Sequence, residues 1–79
     1  MEKVYIIVRH DNADGIQSNL CFVADKQDAI QLVARFNDEA KNGLTLSNGE
    51  IEDTEANTAI MMSEDAIWYE YDEVSKSSY

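Results

Sequence analysis

Between Lys41 and Lys76 this 79-residue chain has no lysine and no arginine. Histidine occurs once, at His10, cysteine once, at Cys21, and glycine three times. Each shortage excludes something. A single cysteine permits no internal disulfide and no cysteine-built zinc cluster. Cys21 itself, inside an apolar run, is expected to be a small buried strand residue. Three glycines cannot assemble a phosphate-cradling loop. No apolar run approaches the ~20 residues of a membrane span, and the opening MEKVYIIVRH is too short and too polar for a secretory signal. The expected compartment is the cytoplasm, with no membrane contact.

What the chain has in abundance is carboxylate. The base-free stretch holds nine: Glu50, Glu52, Asp53, Glu55, Glu64, Asp65, Glu70, Asp72 and Glu73. The formal charge of -10 is therefore concentrated in the second half. A fold that gathers this charge on one face repels nucleic acid and membranes, and attracts proteins that ordinarily bind polyanions. Six bases among sixteen acids cannot neutralise a phosphate track, so direct nucleic-acid binding is not expected. The apolar fraction of 44% is that of a folded chain rather than a disordered one. The length fits a single domain, residues 1–79, with a core worth only ~3–5 kcal/mol. A homodimer would add buried area to so small a core.

Residues 3–9, Lys-Val-Tyr-Ile-Ile-Val-Arg, carry apolar groups on both alternate faces, which suits an internal strand. Asp11-Asn12-Ala13-Asp14-Gly15 supplies a turn, and a second strand over 18–24 completes an antiparallel hairpin. Asp25 then sits at an N-cap position, with Asp28 adding charge to the first turn. Ala29, Ile30, Val33, Phe36 and Ala40 recur at helical spacing, and Asn42-Gly43 is expected to close the helix, about 26–41, with a left-handed cap. Asn48-Gly49 marks a two-residue hairpin between short arms. Thr54 caps either a short helix through Met61 or a loop. Residues 66–74, Ala-Ile-Trp-Tyr-Glu-Tyr-Asp-Glu-Val, read as a last strand in which Trp68, Glu70 and Asp72 alternate with Ile67, Tyr69 and Tyr71; the chain is expected to fray from residue 75. The fold class is α+β: a small antiparallel sheet of three or four strands with the main helix on one face. The sheet's other face must meet the variable segment 44–65 or a second subunit.

His10-Asp11-Asn12-Ala13-Asp14-Gly15-Ile16-Gln17-Ser18 resembles the first metal-binding motif of DHH-type phosphoesterases. That resemblance would make His10, Asn12 and Asp14 ligands of a divalent metal that activates water. It covers nine residues, and the family needs further ligands from a much larger domain. The turn reading is preferred, and neither a metal nor a cofactor is expected. An EF-hand register counted from Gly15 fails, because it puts Cys21 where the bidentate glutamate belongs. Cys21 lies in an apolar run that offers nothing to activate a thiol as a nucleophile. No enzymatic activity is expected.

The acidic half carries the functional expectation. Glu70 and Asp72 point the same way along a strand, ~6.5–7 Å apart, close to the spacing of successive phosphates on one nucleic-acid strand. Glu64, Asp65 and Glu73 are expected to extend this row, and Glu50, Glu52 and Asp53 to form a second. Trp68, on the same face as Glu70 and Asp72, supplies an aromatic anchor. The layout is similar to that of small β-β-α-β proteins of phages and mobile elements in its opening Lys3-Val4-Tyr5-Ile6-Ile7-Val8, its Phe22-Val23-Ala24-Asp25-Lys26 lead-in to the helix, and its closing Tyr69-Glu70-Tyr71-Asp72. In size and charge it is also similar to anti-CRISPR and other anti-defence proteins, several of which mimic nucleic acid. The resemblance transfers no individual functional residue. It implies a non-enzymatic, phage-derived inhibitor in the host cytoplasm, blocking the basic nucleic-acid-binding site of a defence complex such as a CRISPR effector. The alternative is a generic interaction or structural module whose acidity serves solubility.

Overall fold

The computed structural model describes residues 2–76. Strand β1 (Glu2–Asp11) turns through residues 12–15 into β2 (Ile16–Val23), followed by helix α1 (Lys26–Ala40), the short strands β3 (Leu46–Ser47) and β4 (Glu50–Ile51), helix α2 (Glu55–Met61) and strand β5 (Ile67–Lys76). The main sheet is antiparallel in the order β2-β1-β5, so the most apolar strand is the central one. Its odd-numbered side chains face α1. Tyr5 and Ile7 pack with Ala29 and Val33, flanked by Val23, Leu32, Phe36 and Tyr71. The α+β architecture, a sheet with one main helix on one face, is as the residue pattern implies.

Asp25 caps α1 by accepting from the Gln27 N–H at 2.8 Å. At the other end the left-handed cap is Lys41 (φ 52°), one position before the expected Asn42-Gly43 pair, of which Gly43 also has positive φ (84°). Asn42 is used differently: its side-chain amide donates to Asn37 Oδ1 at 2.9 Å and to the Ile67 carbonyl at 3.1 Å. Asn37, buried on the apolar stripe of α1, bonds both the N–H (2.9 Å) and the carbonyl (3.0 Å) of Tyr69. These Tyr69 groups point away from β1, so α1 saturates that part of the β5 edge as a neighbouring strand would. β5 also runs further than expected: Ser75 and Lys76 pair with Lys3 and Glu2 rather than fraying, while residues 77–79 lie outside the described residues.

Asn48 and Gly49 both have positive φ, 52° and 82°, as a type I′ hairpin requires. The hairpin lies against α1, with Gly49 so close to Ile30 that an added Cβ would stand 2.5 Å from Ile30 Cγ2. Thr54 caps α2 by accepting from the Asn57 N–H, so the short helix forms rather than the loop. Asn12 then fixes the return to the sheet. Its side chain donates to the carbonyls of Met61 (2.8 Å) and Ser63 (2.7 Å), and its N–H donates to Ala66 (3.0 Å).

The segment 44–65 flanks α1 and β5, and its Glu52, Asp53 and Met61 line a cleft with Trp68 and Glu70 of the sheet's opposite face, where Val8 is buried. On that face Phe22 is 66% exposed and Val74 38%, beside half-buried Val4 and Ile6. Cys21 is another departure from expectation. It is exposed, because β2 is an edge strand and α1 sits over β1 and β5.

Candidate functional site

The base-free half of the chain returns upon itself to form a cleft. Val33, Glu50, Ile51, Glu52, Asp53, Met61, Trp68, Glu70 and Tyr71 line a volume of ≈ 500 Å³. Four of these nine are acids and none is a base. Local structure explains how they are brought together. The I′ turn delivers Glu50 and Ile51 beside β5, and the Tyr71 hydroxyl donates to Glu50. Residues 52–53 follow before the Thr54 cap. Asn57, fully buried, holds this loop: its side-chain amide donates to the carbonyls of Thr45 (2.8 Å) and Glu52 (2.7 Å), and its Oδ1 accepts from the Thr45 N–H (2.9 Å).

β5 contributes the opposite wall. Trp68, Glu70 and Asp72 lie across from His10, Val8 and Ile6, all on the sheet face away from α1. The Trp68 and His10 rings stack at 3.9 Å between centroids and 9° between planes. His10 Nε2 lies 3.4 Å from Glu70 Oε2, an ion-pair distance without hydrogen-bond geometry, and Trp68 Nε1 is buried with no hydrogen-bond partner among the described residues. Glu70 is only 35% exposed. Burial is the main cause that raises its pKa above 4.5; His10 opposes the rise and the neighbouring Asp72 carboxylate adds to it. Glu70 is therefore a weaker phosphate surrogate than exposed Asp72, Asp53 or Glu50. The Tyr71 hydroxyl is pushed up to about 12, chiefly because it donates to Glu50.

Of the nine residues expected at a partner surface, Glu50, Glu52, Asp53, Trp68 and Glu70 line this one cleft, and Asp72 continues the row beyond Glu70. The two expected rows are two sides of the same depression. Three residues lie elsewhere. Glu73 belongs to the α1 face of β5 and is held 2.8 Å from Lys3 Nζ, which lowers the carboxylate's pKa. Glu64 and Asp65 sit in the turn before β5, where Asp65 accepts from the Ser63 hydroxyl at 3.0 Å. Of the supporting residues, the sequence marks Asn12 only as a turn residue or metal ligand and Asn42 only as a helix cap, and it does not single out Asn37 or Asn57. Asn37 does carry a signal, since it falls four residues after Val33 on the helical stripe.

The nine-residue phosphoesterase-like motif is used structurally. Asn12 pins the return of the chain, and Gly15 (φ 65°) donates to the Asn12 carbonyl at 3.3 Å within the turn. Among the described residues no three His, Cys, Asp or Glu side chains converge closely enough to hold a metal ion. Cys21 lies opposite Ile7 on the α1 side of the sheet, whereas His10 lies on the other side, so the two do not meet. No helix is long and apolar enough to cross a membrane among the described residues. No protein family, curated protein or solved structure matches the chain.

Proposed function

We propose that this protein is a non-enzymatic inhibitor that sets its acidic cleft against the basic nucleic-acid-binding site of another protein. The style of the sequence directs the search to a phage-derived protein and a host defence complex, with CRISPR effectors as the first candidates. The observation that carries the reading is the convergence of Glu50, Glu52, Asp53 and Glu70 on one cleft beside Trp68, with no base in its lining. Ordinary surfaces intersperse both signs. Here the carboxylates are held by a folded scaffold, and the hydrogen bonds of Asn57 fix the loop that carries two of them. Fixed charges of one sign steer a basic partner at long range, and a half-buried tryptophan supplies apolar contact at short range. The acidic cleft takes the place of a polyanion in the partner's basic site, so binding weakens with salt and competes with DNA or RNA. A second copy of this chain does not fit there, because like charges would meet.

The test is a paired charge reversal. Glu52→Lys/Asp53→Lys/Asp72→Lys alters the cleft and its extension, and Asp28→Lys/Asp38→Lys/Glu39→Lys alters exposed helix positions by the same charge. The cleft variant loses capture of basic nucleic-acid-binding proteins while the helix variant retains it. Acids on α1 and the Lys3–Glu73 pair favour the second reading, in which acidity serves solubility. That reading predicts equal behaviour of the two variants, and equal behaviour refutes the cleft.

A further inference from the structure

From Gly15 to Ala24 the chain has no charged residue, although 28% of all residues are charged. This run forms β2, an edge strand whose outer side has no neighbour among the described residues. Three of the five large hydrophobics exposed there lie on it: Ile16 (53%), Leu20 (45%) and Phe22 (66%). Soluble proteins commonly blunt such an edge with lysine, proline or a bulge. β2 has neither lysine nor proline, and its one device is the register shift opposite Ile7 and Val8, which leaves Leu20 as the extra residue.

We propose that β2 is a self-association edge on which a second copy of this chain pairs its own β2, antiparallel, about a two-fold axis. The observations select a second copy as the occupant. Backbone edges are self-complementary in antiparallel pairing, so a two-fold interface satisfies both strands at once. A chain of charge -10 meets itself most readily where its surface is uncharged, and β2 lies in the longest run of the chain without a charged residue. The acidic cleft lies at the opposite edge of the sheet, beyond β1 and β5. At ~4.8 Å per strand, the two clefts in the pair stand more than ~20 Å apart, well past the ~8 Å screening length at physiological salt. α1 leaves room, because Asn37 and Asn42 anchor it toward β5 and a groove between Val23 and Leu32 stays open on the β2 side. Pairing gives a continuous six-stranded sheet and brings Leu20 and Phe22 of the two copies together. The bulge confines the regular ladder to the residues on either side of Leu20. The interface is therefore small, and a reversible dimer follows rather than an obligate one.

Sedimentation equilibrium over ~5 to ~200 µM chain tests this at low and high salt. The expected result is a rise from the 8.9 kDa monomer toward twice that mass, with a dissociation constant that falls about threefold or more between ~50 and ~500 mM NaCl as residual repulsion is screened. Binding of a basic partner to the cleft responds to salt in the opposite sense, so the two ideas fail separately. Phe22→Glu, at an exposed position, is expected to keep the wild-type circular dichroism and remain monomeric throughout. Hydrogen exchange of the wild type provides a readout that needs no variant: amides of residues 16–23 gain protection as concentration rises, and those of β5 do not. A monomer at all concentrations in high salt overturns the proposal, as does a dimer that survives Phe22→Glu or concentration-dependent protection confined to another element.

Discussion

Replacing Gly49 by alanine asks whether the β3–β4 hairpin is seated on α1, the contact that places Glu50 at the cleft. Gly49 has φ 82°, and an added Cβ would meet Ile30 Cγ2 at 2.5 Å, the Ile30 carbonyl oxygen at 3.5 Å and Ala34 Cβ at 3.7 Å. Two separable effects oppose the methyl group. Left-handed backbone disfavours an L-residue by ~1–2 kcal/mol. Insertion against a packed neighbour adds ~1–3 kcal/mol, because Ile30 is itself buried and cannot swing aside freely. Gly15 isolates the first effect, since it has φ 65° and a methyl group added there would meet nothing within 4 Å. Gly15→Ala is therefore expected to lose ~1–2 kcal/mol and Gly49→Ala ~2–5 kcal/mol. Against a total stability of ~3–5 kcal/mol, the second change leaves the protein close to unfolding. Urea titration followed by Trp68 fluorescence measures both. With a slope of ~1 kcal/mol per molar, the midpoint falls ~1–2 M for Gly15→Ala and at least ~2 M for Gly49→Ala. Equal midpoints in the two variants would refute the seated hairpin.

Three further outcomes follow from named contacts. Asn57→Ala strands the Thr45 and Glu52 carbonyls and the Thr45 N–H, and is expected to lose ~2–4 kcal/mol in the same titration; a loss below ~0.5 kcal/mol would show that the loop is held some other way. Tyr71 is expected to ionise near 12, and Glu50→Gln brings it back toward 10 in an ultraviolet titration with Tyr71→Phe as the blank. Because folding raises this pKa, the stability it contributes is intact below pH 10 and disappears as pH rises from 10 toward 12; an unchanged midpoint in Glu50→Gln would rule out the hydrogen bond as its cause. Glu70 binds its proton more tightly folded than unfolded, so its contribution is most favourable below pH 4.5 and declines as pH rises through the raised folded value. Glu70→Gln abolishes that decline when the urea midpoint is followed against pH, and superimposable wild-type and variant profiles would contradict the assigned burial.

The elements that could be read from the chain are those specified locally. The two-sided apolar run of β1, the helical stripe from Ala29 to Phe36, the Asp25 cap and the Asn48-Gly49 turn each carry their own signal within a few residues. The alternation of Trp68, Glu70 and Asp72 was legible for the same reason. The same alternation should have excluded Glu73 from the row, since an odd position in β5 faces α1. The asparagine framework was not legible. Asn12, Asn42 and Asn57 bond backbone groups remote in sequence, and an amide that will replace a strand partner looks like one that will face water. Nor could the chain show that segment 44–65 would bring Glu50, Glu52 and Asp53 to the Trp68 side of β5, because that depends on tertiary contacts through Gly49 and Asn57. Cys21 was misplaced because burial of an apolar strand depends on whether that strand is central or at an edge.

Whether the cleft takes the place of a polyanion is measured most directly by competition. The immobilised protein is loaded with nuclease-treated bacterial extract and then washed with duplex DNA or single-stranded RNA at constant ionic strength. A polyanion-like cleft predicts that the retained proteins include a nucleic-acid-binding complex released by the polynucleotide, and that Glu52→Lys/Asp53→Lys/Asp72→Lys no longer retains it. Retention of the same complex by that variant, or indifference of the bound complex to competing nucleic acid, would contradict that role for the cleft.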